Sequence, residues 1–283
     1  MTASPPCSVL AAHEPLAGTA PHARGWLVIE HPGPYPRVAT DALGELAEPL
    51  RTLCREGGVA PLLARRPRAA GRRVWLAIDG RMVTWSHIDA VDLLSVDWES
   101  VAAGGVPRGA ATSIDPILFI CTNGKRDACC AQFGRPVADA LMHDHDDVLE
   151  CSHIGGHRLA PTALLLPFGS VHGRLTAISG AQLLAGAQAG RLRVESLRGL
   201  THLPADQQVA DAAVRDVGGL DSFVRLEVTS TGDDTRRDCV VETPDGRRWQ
   251  VRLVRSSGAP RPESCGKEPV PPEWWRVDSI GRA

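Results

Sequence analysis

The sequence predicts a mixed α/β (α+β) fold, because short apolar runs typical of buried strands alternate along the chain with helical patterns. The chain has 283 residues, enough for one large or two modest domains with cores of their own. Its composition is that of a globular protein, with 43% hydrophobic and 23% charged residues. No internal repeat or low-complexity tract interrupts the alternation.

The first hundred residues have a β-α-β-β pattern. WLVIEH (26–31) is typical of a buried strand, and ALGELAEPLRTLCRE (42–56) has helical spacing. PLLARR and RRVWLAID predict two further strands joined by an arginine-rich turn. We therefore expect an N-terminal α/β subdomain over residues 1–105. Residues 101–113 have many small side chains and little periodicity, which indicates a linker.

The central segment predicts a second unit in the order β-α-β-β-α. Its elements are a strand at DPILFICT (115–122), a loop at NGKRDACC, a helix from about FGRPVADALMH, a strand at VLECSH (148–153), an antiparallel pair at TALLLPFG (162–169) and VHGRL (171–175), and a helix at AISGAQLLAGAQAG. A thioredoxin-like domain has this order, and we place it at residues 112–200. After it, a helix at ADQQVADAAVRDV and strands around FVRLEVTS, RRDCVVETP and RRWQVRLVR predict a small α+β extension over 201–283.

Charge and hydropathy exclude several classes of partner. The net charge is −2, and the basic run RRPRAAGRR (65–73) lacks interleaved aromatic residues, so we expect a solvated loop and no nucleic-acid partner. The start of the chain has neither the basic residues nor the apolar stretch of a secretory signal. The longest apolar runs, ILFIC and ALLLPF, are too short to span a bilayer. We expect a soluble, cytoplasmic protein with no membrane partner.

Four of the eight cysteines lie between residues 121 and 151, and cytosolic cysteines are often metal ligands, catalytic groups or simply buried. Cys121 and Cys130 (CTNGKRDACC) precede His153 and His157 (HIGGH). Thiolate and imidazole together suit iron–sulfur clusters, zinc or copper. The glycines of HIGGH oppose a helix and favour a loop that curls around a bulky inorganic group. Zinc usually binds cysteines spaced C-x₂₋₄-C, closer than this pair, but spacing alone does not exclude it.

Several spaced motifs together resemble the sucrase/ferredoxin-like family. They are CTNGKRDACCAQFGRP, ECSHIGGHR and ALLLPFGSVHGRL, with GTAPHARGWLVIEHPGPY before them and SCGKEPVP after them. The resemblance covers roughly residues 17–270. It implies a thioredoxin-like ferredoxin domain with a [2Fe–2S] cluster, in which Cys121 and Cys130 hold one iron and His153 and His157 hold the other. It also implies electron transfer with a redox protein partner that the sequence does not identify.

Other functions stay open on the sequence alone. The same four residues could form a zinc-bound structural or regulatory module. A thiol–disulfide oxidoreductase would need a CxxC motif at a strand end, which the sequence lacks. The family name carries an association with sucrose hydrolysis, but no pair of carboxylates suggests a sugar site, so an electron carrier is favoured over a hydrolase.

The residues around the four ligands have simpler interpretations. Cys129 could replace Cys130 as a ligand, although Cys130 fits the C-x₈-C spacing that the resemblance implies. Arg126 and Asp127 are expected to pair and hold the ligand loop. We expect Cys151 to be buried and inert, HDHDD (143–147) to form a solvated turn, and His172 to be structural. Ligand partners are not expected for four other cysteines, Cys7, Cys54, Cys239 and Cys265. Lys125 and Arg158 are expected to offer positive charge to an acidic redox partner.

Overall fold

The computed structural model describes residues 5–66 and 72–283, with only the backbone of Ala90. The α-helices are α1 (Cys7–Leu10), α2 (Ala47–Glu56), α3 (Ala90–Leu93), α4 (Trp98–Ala102), α5 (Ala128–Asp144), α6 (Ala177–Gln188) and α7 (Ala205–Gly218). Short 3₁₀ helices cover Ala39–Leu46 and His157–Leu159. The mixed α/β class predicted from the sequence is confirmed.

The strands fall into three sheets. The first eight are β1 (Gly25–Glu30), β2 (Val59–Arg65), β3 (Val74–Ile78), β4 (Arg81–Trp85), β5 (Ala111–Thr112), β6 (Ile117–Cys121), β7 (Val148–Cys151) and β8 (Ala163–Leu166). The others are β9 (Ser170–His172), β10 (Leu197–Leu200), β11 (Glu227–Gly232), β12 (Arg236–Glu242), β13 (Arg248–Ser257), β14 (Arg261–Pro262), β15 (Pro269–Val270) and β16 (Glu273–Arg282).

A ten-stranded mixed sheet forms the centre of the molecule, in the order β10-β9-β8-β6-β7-β2-β1-β3-β4-β5. The β1–β2 and β6–β7 pairs are parallel, and the other neighbours are antiparallel. Strands from the predicted segments 1–105 and 112–200 meet where β2 pairs with β7. The division into three segments and the more specific thioredoxin-like assignment stay predictions.

Side chains alternate between the two faces of a sheet, and the central strands of this sheet are buried on both faces. Leu118 and Ile120 of β6 pack in one apolar cluster with residues of α5 and α6. Phe119 and Cys121 lie on the opposite face, in a cluster that includes Trp75 of β3. That alternation places Cys121 inside the core at the end of β6.

The last segment forms a separate antiparallel sheet in the order β11-β12-β13-β16. Its buried residues alternate along β13 and pack on α7. Strand β16 contains the WW pair of PPEWW, and Trp275 is buried against this core. The helix and the three strands predicted here are present, and β16 adds a strand that the sequence analysis did not predict.

Three local expectations differ from the structure. The loop predicted to carry both Cys129 and Cys130 ends earlier, because α5 begins at Ala128. The helix predicted over 42–56 begins as a 3₁₀ segment and becomes α-helical at Ala47, and Gly44 interrupts the 3₁₀ segment at φ 62°. The predicted linker 101–113 includes the end of α4 and the short strand β5. Residues 67–71 of the basic run lie outside the described residues.

Candidate metal centre

Cys121, Cys130 and His153 are positioned by three elements that converge at one edge of the central sheet. Cys121 ends β6, and His153 follows β7 by two residues. Because β6 and β7 are parallel, with Cys121 opposite Cys151, their carboxyl ends lie side by side. Cys130 stands in the first turn of α5, which returns over this edge. The fold therefore gathers residues from three segments of the sequence.

The three side chains are within ligand distance of a common point. The Nδ1 atom of His153 lies 3.9 Å from the Cys121 sulfur and 3.6 Å from the Cys130 sulfur. The ligand atoms of all three residues lie within 4.8 Å of one another. Both cysteines are buried, whereas His153 is half-buried. The site is thus a cluster of two thiols and one imidazole with one side open towards the surface.

His157 stands beside this group but outside the 4.8 Å set. Its ring centroid lies 5.4 Å from that of His153. Its Nε2 is 2.9 Å from the carbonyl oxygen of Glu263 and donates a hydrogen bond to it. Its Nδ1 is buried and has no hydrogen-bond partner among the described residues. A histidine that donates from one nitrogen to a carbonyl keeps a lone pair on the other, as a metal-ligating histidine does.

The glycine loop between the two histidines is braced by a buried arginine. Gly155 and Gly156 have φ of 94° and 69°, which glycine adopts most readily. A Cβ on Gly156 would lie 2.3 Å from the Nη2 atom of Arg198. The Arg198 Nη1 atom donates to the Gly155 carbonyl at 2.9 Å. The guanidinium therefore fixes the path of the loop and requires a residue without a side chain at 156.

The two thiols share one proton more readily than they lose two. A hydrogen bond from Cys130 lowers the pKa of Cys121, with further help from His153, although burial opposes the charge. The same bond and burial raise the pKa of Cys130. The first turn of α5 adds the positive end of the helix dipole. Cys121 is therefore the thiol of the pair that ionises more readily, and its charge opposes ionisation of Cys130.

Asp127 holds the ligand loop by a different set of bonds from the one expected. Its carboxylate caps α5 by accepting from the Cys129 amide at 2.9 Å, and it also accepts from the Ser264 hydroxyl and the Cys265 amide. Burial alone would raise its pKa, but these bonds outweigh burial and lower the pKa to about 2. No salt bridge joins Arg126 to Asp127 among the residues that the structure describes, so that predicted pairing is wrong.

The other candidate residues lie elsewhere. The Cys129 sulfur points away from the histidines, to the sulfurs of Cys7 and Cys265 at 3.5 and 3.4 Å. The expectation that Cys7 and Cys265 have no partners is therefore wrong. Cys151 is buried. His172 is fully buried between the hydroxyls of Ser170 and Ser196, in agreement with a structural role.

Sequence reasoning missed residues that contact the site from distant segments. The N-cap role of Asp127 was not predicted either, although an aspartate directly before a helical run is a favoured N-cap. Arg198 and Glu263 gave no sequence signal, since nothing local in their sequence relates them to the HIGGH loop.

The donor set fits soft or borderline metals. Two thiolates with imidazole suit zinc or an iron–sulfur cluster. In a tetrahedral zinc site the sulfur and nitrogen ligands would be about 3.5 Å apart, given Zn–S near 2.3 Å and Zn–N near 2.0 Å. The sulfur–nitrogen distances of 3.6 and 3.9 Å are close to that value. The buried Nδ1 of His157, which has no partner among the described residues, is a further possible donor near this set.

No described helix is both long and apolar enough to cross a membrane. No curated protein and no solved structure gives a significant match to this chain. The profile of the sucrase/ferredoxin-like family matches residues 16–200, more than half of the 283-residue chain, and this range contains all four candidate ligands. The chain therefore belongs to the sucrase/ferredoxin-like family.

Proposed function

We propose that this protein binds a [2Fe–2S] cluster through Cys121, Cys130, His153 and His157 and exchanges single electrons with a redox protein. The observation that carries the proposal is the grouping of Cys121, Cys130 and His153 within 4.8 Å, next to a His157 ring whose buried Nδ1 has no partner among the described residues and whose centroid lies 5.4 Å from that of His153. A buried polar atom without a partner is costly, so a ligand at this position would explain it. Because Nε2 donates to the Glu263 carbonyl, the lone pair of the neutral ring is on Nδ1, as in histidines that bind a metal.

The residues around the proposed cluster would stabilise its reduced state. When bound, a [2Fe–2S] cluster supplies one-electron chemistry at a potential set by its ligands and surroundings. Neutral imidazoles in place of two thiolates make the oxidised site less anionic, which raises the potential. Arg198 is 1% exposed and places a further positive charge behind the histidine loop. We therefore expect a midpoint potential higher than that of a ferredoxin whose cluster has only cysteine ligands.

Electron exchange requires that a redox partner can approach one side of the proposed cluster. Both cysteines are buried whereas His153 and His157 are half-buried, so the two imidazole rings are the route to the surface. Lys125 and Arg126 are exposed in the adjoining loop and offer positive charge to an acidic partner. Arg158 was also expected to offer positive charge to an acidic partner, but it forms an ion pair with Glu14 at 3.0 Å. The partner and the cytoplasmic location stay predictions.

Anaerobic purification followed by iron and sulfide analysis, visible absorption and EPR tests the proposal. We expect two irons and two sulfides per chain, as the formula of the cluster requires, and an EPR signal after one-electron reduction. His153→Ala and His157→Ala should lose the cluster, whereas Cys54→Ser, which lies in a different apolar cluster of the core, should keep it. A colourless wild-type protein after anaerobic reconstitution with iron and sulfide would reject the proposal.

Zinc is the second candidate, and the short sulfur–nitrogen distances favour it specifically. A zinc ion on Cys121, Cys130 and His153, with His157 as fourth ligand, would make this a structural or regulatory module with no redox activity. Stoichiometric zinc that is lost in His153→Ala, together with no visible absorption, would establish this alternative.

A further inference from the structure

Three cysteines from distant parts of the chain meet beside the first turn of α5, next to Asp127. Cys7 lies in α1, Cys129 in the first turn of α5, and Cys265 in the segment between β14 and β15. Their sulfurs are separated by 3.5 Å (Cys7–Cys129), 3.4 Å (Cys129–Cys265) and 3.7 Å (Cys265–Cys7). Cys7 and Cys129 are buried, and Cys265 is exposed. The three sulfurs therefore form a nearly equilateral triangle with one corner at the surface.

The size of this triangle matches a single tetrahedral ion. Four sulfurs at about 2.3 Å from zinc are about 3.8 Å apart, and the three measured edges lie within a few tenths of an ångström of that value. An iron–sulfur cluster, with several metals, would separate its cysteine ligands further. A disulfide requires sulfurs about 2.05 Å apart, so none of the three pairs is bonded.

The carboxylate of Asp127 lies beside the three sulfurs and forms with them a group of four possible ligands. The Oδ1 and Oδ2 atoms of Asp127 are 3.8 and 3.9 Å from the Cys7 sulfur, and Asp127 is 4% exposed. Oδ2 accepts hydrogen bonds from the Ser264 hydroxyl and the Cys265 amide, Oδ1 accepts from the Cys129 amide, and the Cys7 thiol is placed to donate to either oxygen. Loss of the Cys7 thiol proton would free an acceptor position on Oδ1, since a carboxylate oxygen has about two such positions. The Ser8 hydroxyl also donates to the Cys129 sulfur at 3.3 Å.

We propose that Cys7, Cys129 and Cys265 bind one zinc ion as thiolates, with Asp127 as the fourth ligand, at a site separate from Cys121, Cys130, His153 and His157. Zn²⁺ prefers sulfur donors in four-coordinate structural sites and has no redox chemistry of its own. Binding would release three thiol protons, one from each cysteine, and the ion would offset the negative charge that the three thiolates and Asp127 bring together.

Cys129 and Cys130 are adjacent but belong to different sites, because successive residues of a helix point about 100° apart. Cys130 faces His153 at 3.6 Å, while Cys129 faces Cys7 and Cys265. The zinc would join α1 and the segment around Cys265 to α5. That segment also carries Glu263, whose carbonyl accepts from His157. The second site would thereby hold in place the backbone that orients His157.

Metal content in matched variants tests the second site independently of the first. The wild type is purified anaerobically without chelators, and iron, zinc and sulfide are measured per chain. We expect one zinc that is retained in Cys121→Ser and His153→Ala and lost in Cys7→Ser and Cys265→Ser. Cys54→Ser and Cys239→Ser, buried in other clusters, should leave it unchanged. Zinc that follows Cys121 and His153 instead would overturn the second site and support zinc at the first.

X-ray absorption at the zinc edge of the wild type keeps the test valid if the serine variants fail to fold. We expect three sulfur neighbours at about 2.3 Å and one oxygen at about 2.0 Å. Two sulfurs with two nitrogens would overturn the proposal. So would a wild type that takes up no zinc after anaerobic reconstitution, or a disulfide between two of the three cysteines, detected as an intact mass lower by two hydrogens and located by peptide mapping.

Discussion

At the scale of single residues, Arg198 is a buried cation bonded to uncharged oxygens. Its guanidinium donates to Thr19 and to the Gly155 carbonyl. Burial, followed by the nearby charge of Arg158, lowers its pKa to about 9, which still leaves it protonated at neutral pH. An uncompensated buried charge is costly, and a site that becomes anionic on reduction would offset part of that cost. Arg198 is therefore a positioning residue that also adds a positive potential.

Replacing Arg198 by Met should lower the midpoint potential of the proposed cluster. Two unit charges about 8 Å apart at an effective dielectric constant of 20 interact by about 2 kcal/mol, and about 1.4 kcal/mol corresponds to 59 mV for one electron. We expect a decrease of several tens of millivolts, measured by EPR-monitored redox titration. Arg198→Lys, which keeps the charge, should shift the potential less, and equal shifts in both variants would show that only the loop geometry matters.

His172 provides a test of stability against pH. Burial lowers its pKa to about 3, with a contribution from Arg198, so the folded protein keeps it neutral. The unfolded chain protonates it near pH 6.5. The unfolded state therefore binds more protons between these values, and stability is lost as the pH falls below about 6.5.

We expect His172 to account for about 2 kcal/mol of the stability lost between pH 8 and pH 5, at about 1.4 kcal/mol per pH unit below 6.5. His172→Gln should reduce that loss, as measured by chemical denaturation at each pH. His87→Gln, at an exposed position, is the matched control and should retain the wild-type pH dependence. Identical slopes for His172→Gln and wild type would contradict the assignment.

At the scale of elements, α5 carries the site because it packs unusually close to the strand that ends at Cys121. A Cβ on Gly134 would lie 2.1 Å from the Cys121 carbonyl oxygen. The obstacle is backbone, which cannot move aside as a side chain can. Gly134 is therefore required for the distance between α5 and β6, and hence for the distance between Cys130 and Cys121.

Gly134→Ala should destabilise the fold by about 1–3 kcal/mol, because overpacking outweighs the gain of up to about 1 kcal/mol in helix propensity. It should also lower metal content by displacing Cys130 from Cys121. Gly180→Ala in α6 is the control, since its new Cβ would meet mainly the tip of the Leu141 side chain. Thermal unfolding and metal analysis of both variants distinguish the two cases, and equal stability would contradict the close-packing argument.

The elements were more predictable than the contacts between them. Apolar runs such as ILFIC, and the helical spacing of the α7 sequence, predicted strands and helices because their pattern is local. The start of α5 was placed too late, although Asp127 carried an N-cap signal. The meeting of Cys7 with Cys265, 258 residues apart, could not be predicted, since it depends on how α1 and the β14–β15 segment return to α5.

At the scale of the whole molecule, a short strand pairing joins the β1–β5 half of the large sheet to the half that carries the candidate metal centre. Strand β2 pairs with β7 over two residue pairs, one of which is Arg65 with Glu150. Their side chains form a salt bridge at 2.5 Å, and Glu150 is 4% exposed in its side chain. The Arg65 guanidinium also lies 4.5 Å from the centre of the Tyr35 ring, whose hydroxyl donates to the Glu150 carbonyl.

Arg65→Met should weaken this junction, because it leaves the Glu150 carboxylate buried without its partner, a change that typically costs about 3–5 kcal/mol. Since β7 leads directly to His153, we expect hydrogen exchange to accelerate in β2 and β7 and metal retention to fall together. The double variant Arg65→Met with Glu150→Gln removes the unpaired charge and should recover most of the lost stability. If the double variant is as unstable as Arg65→Met alone, packing of Arg65 on Tyr35, and not the ion pair, holds the two halves together.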